Sequence, residues 1–174
     1  MGRFNGQVTY TFSRSKVHID GLNGNESFYT RQDRPHDLNI SMNYRLKPKW
    51  DISLNGIFAS GMRTTSPTSF YNYDGYQVPV YTEQNNSRMP MYKRIDFSTD
   101  IRFGKNEAWN QKLTFSLYNV LGYKNPIFIN YNKVYDTSID KWLVPADKLN
   151  PAELSTTKRY FYWVIPSLTY YLSF

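Results

Sequence analysis

Apolar and polar residues alternate with a period of two over several stretches of the chain. In the first stretch, Phe4, Val8 and Phe12 share one phase and polar residues occupy the other. This pattern is typical of a β-strand with two unlike faces, because successive side chains point to opposite sides. No window of similar length keeps a helical period, so the sequence predicts an all-β, antiparallel chain of about six strands.

The predicted strands cover about residues 4–13, 37–46, 50–58, 94–103, 112–117 and 160–174. Long polar connections at about 14–35, 61–92 and 122–158 alternate with short ones at about 47–49 and 104–110. Outer-membrane β-barrels have this layout, and their tilted strands need about 9–11 residues to cross the hydrocarbon core. The sequence therefore predicts an antiparallel transmembrane β-barrel segment. A soluble sheet with one packed face and one hydrated face gives the same alternation and stays an alternative.

Two further features favour the membrane interpretation, and the first is the position of the aromatic residues. Rings concentrate at membrane–water interfaces, so a membrane barrel is expected to carry two aromatic levels. The level beside the short turns would hold Phe4, Tyr44, Trp50, Phe103, Trp109 and Phe174. The level beside the long connections would hold Phe12, Phe58, Tyr92 and Tyr160.

The second feature is the last predicted strand, in which Tyr170, Leu172 and Phe174 share the apolar phase. Bacterial barrels commonly finish within an apolar strand, and the barrel-assembly machinery reads such a terminus. These three residues are therefore predicted to form a barrel-assembly signal.

Four stretches carry a resemblance to a known family: Asp33–Asn39, Arg88–Asp96, Phe115–Val120 with Lys124–Pro126, and Pro166–Phe174. They resemble the C-terminal barrel region of TonB-dependent outer-membrane receptors. Members of that family have barrels of about 22 strands, closed by an N-terminal plug domain. They import a siderophore, vitamin, glycan or peptide with energy delivered through TonB. The resemblance implies the same activity here, with the bacterial outer membrane as the location.

The resemblance also implies that residues 1–174 are the C-terminal portion of a barrel domain. About six strands fall short of the roughly eight in the smallest single-chain barrels, and lipid does not tolerate unpaired strand edges. The expected partners are outer-membrane lipid, the remaining barrel strands, the plug domain, TonB acting through that plug, and the barrel-assembly machinery. Residues 1–4 resemble no secretory signal, so an exported chain is expected to be a processed piece or a fragment.

Composition excludes several other classes of protein. The chain has no Cys and two His, so neither a metal site nor a cofactor is expected. It carries a net charge of +7, but basic and aromatic residues lie in opposite phases, which argues against nucleic-acid binding. No catalytic motif is present, and Asp96 and Asp100 would stand roughly 13 Å apart, too far for an acid–base pair. The chain is therefore predicted not to be an enzyme.

The candidate substrate-binding residues are four tyrosines in the second long connection: Tyr71, Tyr73, Tyr76 and Tyr81. Tyrosine rings can stack on sugars or chelates while their hydroxyls form hydrogen bonds. A loop packed on itself, with tyrosines at the interface, is the alternative.

Charged residues in the polar phase are expected to line the barrel lumen and to pair with one another. They are Arg3, Asp37, Arg45, Asp51, Arg94, Asp96, Asp100, Arg102 and Lys112.

Two alternative functions stay open. One is a soluble β-sandwich or β-barrel that binds glycans or proteins through its tyrosine-rich loops. The other is a small oligomeric outer-membrane barrel or adhesin, completed by strands from other copies of the chain.

Overall fold

The computed structural model of the chain describes residues 3–74, 76–103, 110–133, 135–136, 141–142, 154–160 and 163–173. Within them, six long strands form one antiparallel sheet: β1 (Phe4–Phe12), β2 (His36–Lys47), β3 (Trp50–Ala59), β4 (Tyr92–Phe103), β5 (Asn110–Tyr118) and β6 (Ile165–Ser173). Each strand pairs with its neighbour in the sequence, so the sheet is a meander in the order β1 to β6. The predicted all-β, antiparallel fold is confirmed.

The sixth predicted strand is wrong at its beginning. The sequence analysis extended it from about residue 160, whereas β6 begins at Ile165. The segment Leu154–Tyr160 pairs instead with Pro126–Lys133 in a separate two-stranded sheet. Residues 160–164 read Tyr-Phe-Tyr-Trp-Val, an apolar run without alternation, and the sequence analysis assigned one phase of that run to the strand.

The sheet has one apolar face and one polar face, because the alternating phases stay in register from strand to strand. One row of the apolar face contains Gly6, Met42, Leu54, Phe97, Leu117 and Pro166. The adjacent row of the polar face contains Asn5, Asn43, Ser53, Ser98, Ser116 and Ser167. A shift of one residue in any pairing would exchange the two faces of that strand.

Much of the apolar face is open to solvent. The exposed fraction is 65% for Val8, 38% for Leu54 and 68% for Leu168. Among the described hydrophobic residues other than proline, only Ala59 and Met89 are buried. In the part of the chain that the structure describes, no second layer of protein covers this face. A soluble sheet of this size ordinarily buries one face in a core.

The two aromatic levels are reproduced in part. Phe4 pairs with Tyr44, and Trp50 lies at the same end of the sheet, beside the short turn between β2 and β3. Tyr160 is not in the main sheet, so its predicted place in the level beside the long connections is wrong. Tyr92 lies at the predicted end but on the polar face, where its hydroxyl accepts a hydrogen bond from Arg94 Nη1 at 3.2 Å. Trp109 and Phe174 lie outside the described residues.

The long connections contain short β-hairpins that the sequence analysis treated as polar loops. The paired segments are Lys16–Val17 with Phe28–Tyr29, Arg63–Thr64 with Ser87–Arg88, Ser69–Tyr73 with Tyr76–Val80, and Tyr135–Asp136 with Lys141–Trp142. A single 3-10 turn in the described residues spans Asn23–Asn25. No helix there has the length and apolar character needed to cross a membrane.

The sheet is open. Among the described strands, β1 is paired only with β2 and β6 only with β5, so each outer strand has one unpaired edge. These six strands by themselves do not form a closed barrel.

Candidate functional site

The polar face carries ion pairs among seven of the nine charged residues that the sequence analysis expected to pair, whereas Arg3 and Asp37 form no ion pair with a described residue. Asp51 lies between two arginines, 3.4 Å from Arg45 Nε and 2.6 Å from Arg102 Nη1. Asp100 accepts a hydrogen bond of 2.6 Å from the Thr114 hydroxyl and lies 3.9 Å from Lys112 Nζ. Charges on this face therefore neutralise one another across β2, β3, β4 and β5.

A second cluster lies where the long connections leave the sheet. It consists of Asp33, Arg14, Arg63 and Arg88, and is called the arginine clasp below. The Asp33 side chain is fully buried and accepts hydrogen bonds from the Ser15 amide at 3.1 Å and from Arg88 Nη2 at 2.5 Å. Arg63 Nε and Arg14 Nη1 approach the same carboxylate to 3.8 and 3.9 Å. Three arginines thus surround one buried carboxylate.

The clasp keeps Asp33 ionised. Burial alone raises the pKa of the Asp33 carboxyl, but the Ser15 amide and the Arg88 guanidinium outweigh burial and hold that pKa below its ordinary value. With Asp33 ionised, the four side chains carry a surplus of two positive charges.

Arg88 joins two of the long connections. Its Nη1 donates hydrogen bonds of 2.7 Å to the backbone carbonyls of Asp33 and Gly61. Position 61 requires glycine, because a Cβ there would overlap the Met89 carbonyl. The clasp therefore connects residues far apart in sequence through both side-chain and backbone contacts.

The ring of Tyr29 lies among the cations of this region. The Arg63 guanidinium carbon is 4.4 Å from the ring centroid, and Lys16 Nζ is 4.9 Å away. Both distances suit cation–π attraction. This contact brings the first and second long connections together beside the clasp.

Two cavities open near the clasp. The larger, of about 600 Å³, is lined by Tyr29 and Arg63 together with the carboxylate residues Glu26 and Glu83. The smaller, of about 400 Å³, is lined by Arg31, Arg63 and Tyr81 and by apolar residues of the third connection.

The structure separates the four candidate tyrosines. Tyr71 and Tyr73 are 48% and 71% exposed on the Ser69–Tyr73 strand, and Tyr73 pairs with Tyr76 at the hairpin end. The Tyr76 side chain lies outside the described residues. Tyr81 follows the hairpin and lines the smaller cavity. Ligand binding by these four residues stays a prediction, and Tyr81 is the one that the structure places in a cavity.

The predicted barrel-assembly residues are described in part. Tyr170 and Leu172 lie on β6 opposite Leu113 and Gln111, and are 56% and 41% exposed. The Tyr170 hydroxyl donates a hydrogen bond of 3.0 Å to Gln111 Oε1. Phe174 lies outside the described residues. The assembly role of these residues stays a prediction.

The sequence analysis missed the role of Asn119, which ends β5 in a left-handed conformation with φ 53°. Its backbone amide donates a hydrogen bond of 2.9 Å to Asp96 Oδ1. Its buried side chain donates to the backbone carbonyls of Tyr123 at 2.9 Å and Trp163 at 2.6 Å. Asn119 therefore closes the turn after β5 and holds the segment that precedes β6.

The family-like stretches meet in space at several of these contacts. Asp33 and Arg88 begin two of the stretches and bind each other in the clasp. Asn125 begins the Asn-Pro step of the third stretch, and its side chain bonds both the amide and the carbonyl of Lys93 at 2.9 and 2.7 Å. The family-like stretches marked these residues in the sequence. The alternation of apolar and polar positions could not show which of them contact each other, because they lie in different connections.

Among the described residues, no group of three or more His, Asp or Glu side chains is placed to hold a metal ion. Comparison with protein-family models, curated protein sequences and solved structures found no match.

Proposed function

We propose that the chain is the C-terminal part of the barrel of a TonB-dependent outer-membrane receptor, which imports a ligand with energy delivered through TonB. The observation that carries this proposal is the pair of unlike sheet faces. One face is apolar and exposed over six strands, and the other is polar and ion-paired.

Lipid is the environment that suits the apolar face. Exposed side chains such as Val8 and Leu168 would leave water on contact with acyl chains, which stabilises by about 25 cal/mol per Å². Backbone groups within the sheet are paired strand to strand, as the hydrocarbon region requires. The polar face, with Asp51 and Asp100 already paired, suits the water-filled interior of a barrel.

The open edges of β1 and β6 require further strands in lipid. Under this proposal the remaining barrel strands supply them, and a plug domain fills the lumen and receives TonB. The barrel-assembly machinery inserts the whole into the bacterial outer membrane. The long connections would then contact the ligand, a siderophore, vitamin, glycan or peptide, and the chain would catalyse no reaction.

The same open edges support a second candidate, a small outer-membrane barrel completed by other copies of this chain. In that case β1 of one copy would pair with β6 of the next. A multimer that changes its gel mobility on heating, without any other protein present, would identify this candidate.

A matched pair of substitutions on β3 tests the proposal. Leu54 lies mid-strand on the apolar face and its neighbour Asn55 lies on the polar face. Arginine on the lipid face near the bilayer centre costs about 2–4 kcal/mol, whereas lumen positions tolerate it. In the complete receptor that supplies the remaining strands, we expect Leu54→Arg to lower the amount of folded protein in the outer-membrane fraction, while Asn55→Arg leaves it near the wild-type level.

The measurement is membrane fractionation followed by protease protection and heat-dependent gel mobility. Recovery of the wild-type chain as a monodisperse, cooperatively unfolding protein in detergent-free buffer would refute the membrane assignment. Equal behaviour of the two variants would refute the assignment of the faces.

A further inference from the structure

The smaller cavity beside the arginine clasp is formed by all three long connections. Arg31 comes from the first, Arg63 and Tyr81 from the second, and residues 127–129 from the third. Its volume of about 400 Å³ lies within the range of roughly 300–1,000 Å³ that is usual for small-molecule sites.

The polar side of this cavity is cationic. Arg31 and Arg63 line it, and no described Asp or Glu does. The Arg31 side chain is exposed and forms no ion pair with any described residue. Arg63 Nε lies 3.8 Å from Asp33, which already binds Arg88, and the Arg63 side chain is 18% exposed. Because both side chains line the cavity, their guanidinium groups are placed to donate hydrogen bonds to an anion there.

The cavity also has apolar lining residues. Met89 is buried there, and Ile127 and Phe128 are 37% and 49% exposed. An exposed phenylalanine and isoleucine facing a cavity offer an apolar body a surface that excludes water. The cavity therefore combines cationic groups with an apolar wall.

We propose that this cavity binds a small anionic molecule, an acid group attached to a compact apolar body. Arg31 and Arg63 bind the acid group and the Tyr81 hydroxyl donates a further hydrogen bond. Residues 127–129 contact the apolar body. This inference rests on the proposed function and deepens it by naming the chemical class of the ligand.

Two probes that differ in charge test the inference: 2-naphthoate, which is anionic, and 2-naphthamide, which is neutral. Binding is measured by isothermal titration calorimetry on the full chain, with a titration into protein-free buffer or micelles as the blank. A hydrogen bond to a charged partner is typically strong enough to give about a tenfold preference. We expect 2-naphthoate to bind about tenfold or more tightly than 2-naphthamide.

Arg31→Gln is expected to remove most of that preference, since Arg31 lines the cavity and its side chain forms no ion pair with a described residue. Tyr81→Phe is expected to weaken 2-naphthoate binding several-fold. Lys124→Gln is the matched control, because it removes one positive charge from an exposed loop residue that does not line the cavity. Equal binding of the two probes would overturn the inference. Binding that Arg31→Gln leaves unchanged would overturn it as well.

Failure of this inference can be separated from failure of the proposed function. The titrations are run on whichever fraction contains the chain, membrane or soluble. A soluble chain that still prefers 2-naphthoate refutes the receptor and supports the anion site. A chain that is found in the membrane and lacks the preference refutes the anion site and supports the receptor.

Discussion

Asp33→Asn tests whether the arginine clasp holds the long connections together. The substitution keeps the size of the side chain and removes its charge. The native carboxylate accepts from two donors, the Ser15 amide and Arg88 Nη2. An asparagine can accept with one atom only, so its amide group must face a donor. The Asp33 side chain is fully buried, and no water can relieve that conflict without opening the loops.

The magnitude follows from the burial of the partners. Removing one member of a buried ion pair costs about 3–5 kcal/mol. Arg88 and Arg63 keep 26% and 18% of their side chains exposed, which screens part of the loss. We therefore take the low end, about 3 kcal/mol, for local opening of the connections. At about 1.4 kcal/mol per factor of ten, this equals a roughly 100-fold larger opening constant.

Hydrogen–deuterium exchange measures this opening. The reporters are the Arg63 amide, which donates to Arg31 at 3.1 Å, and the Met89 amide, which donates to Met62 at 2.8 Å. Both should exchange about 100-fold faster in Asp33→Asn, while amides within β3 and β4 keep their rates. Asp37→Asn is the control, since the Asp37 carboxylate accepts only from the Asn39 side chain among the described residues. A change below about threefold, or an equal change in the control, would refute the structural role of the clasp.

Two further predictions concern the same end of the sheet. The pKa of Asp33 is lowered in the folded state, so its charge stabilises the fold fully above the ordinary pKa of 3.8, and this contribution is lost as the pH falls through the lower folded pKa. Amide protection at Arg63 and Met89 should therefore stay constant down to about pH 4 and fall below it. A decline that begins near neutral pH would contradict this. Asn119→Ala should destabilise the turn after β5 by about 2–3 kcal/mol, since it removes three side-chain hydrogen bonds and places alanine at φ 53°. Asn119→Gly should recover about 1 kcal/mol of that loss in a limited-proteolysis assay of the turn, and equal losses would show that φ carries no cost.

The sheet could be predicted from the sequence because its signal is local. Each long strand repeats its two-residue pattern at least three times, and the pattern fixes which residues share a face. The short hairpins could not be predicted in this way, since Lys16–Val17 and Phe28–Tyr29 contain too few residues for any period. The start of β6 was missed because the apolar run over residues 160–164 was assigned to the strand, although that run does not alternate. The hydrogen bond from the Asn119 side chain to the Trp163 carbonyl joins residues that are far apart in the sequence, and local patterning does not reveal it.

The candidate site depends on contacts between distant positions, and for this reason the sequence revealed only a part of it. The tyrosine-rich run pointed to the second connection, and Tyr81 lies in the smaller cavity. Arg31 and residues 127–129 complete that cavity from the other connections, and nothing in their local sequence marks them as neighbours. Asp33 and Arg88 are 55 residues apart, so their pairing required the folded chain.

The sequential order of the sheet has a consequence for folding kinetics. Every strand of the meander pairs with the next strand along the chain, so the sheet can grow by adding one hairpin at a time from any starting pair. Loop-closure entropy is lowest across the two short turns, so the β2–β3 and β4–β5 pairs are the favoured starting points, and the three long connections cost more to close. The Asp33–Arg88 contact belongs to a later stage, because it needs β2, β3 and the whole second connection to be in place. Formation of this contact would report the moment at which the outer loops of the chain become ordered.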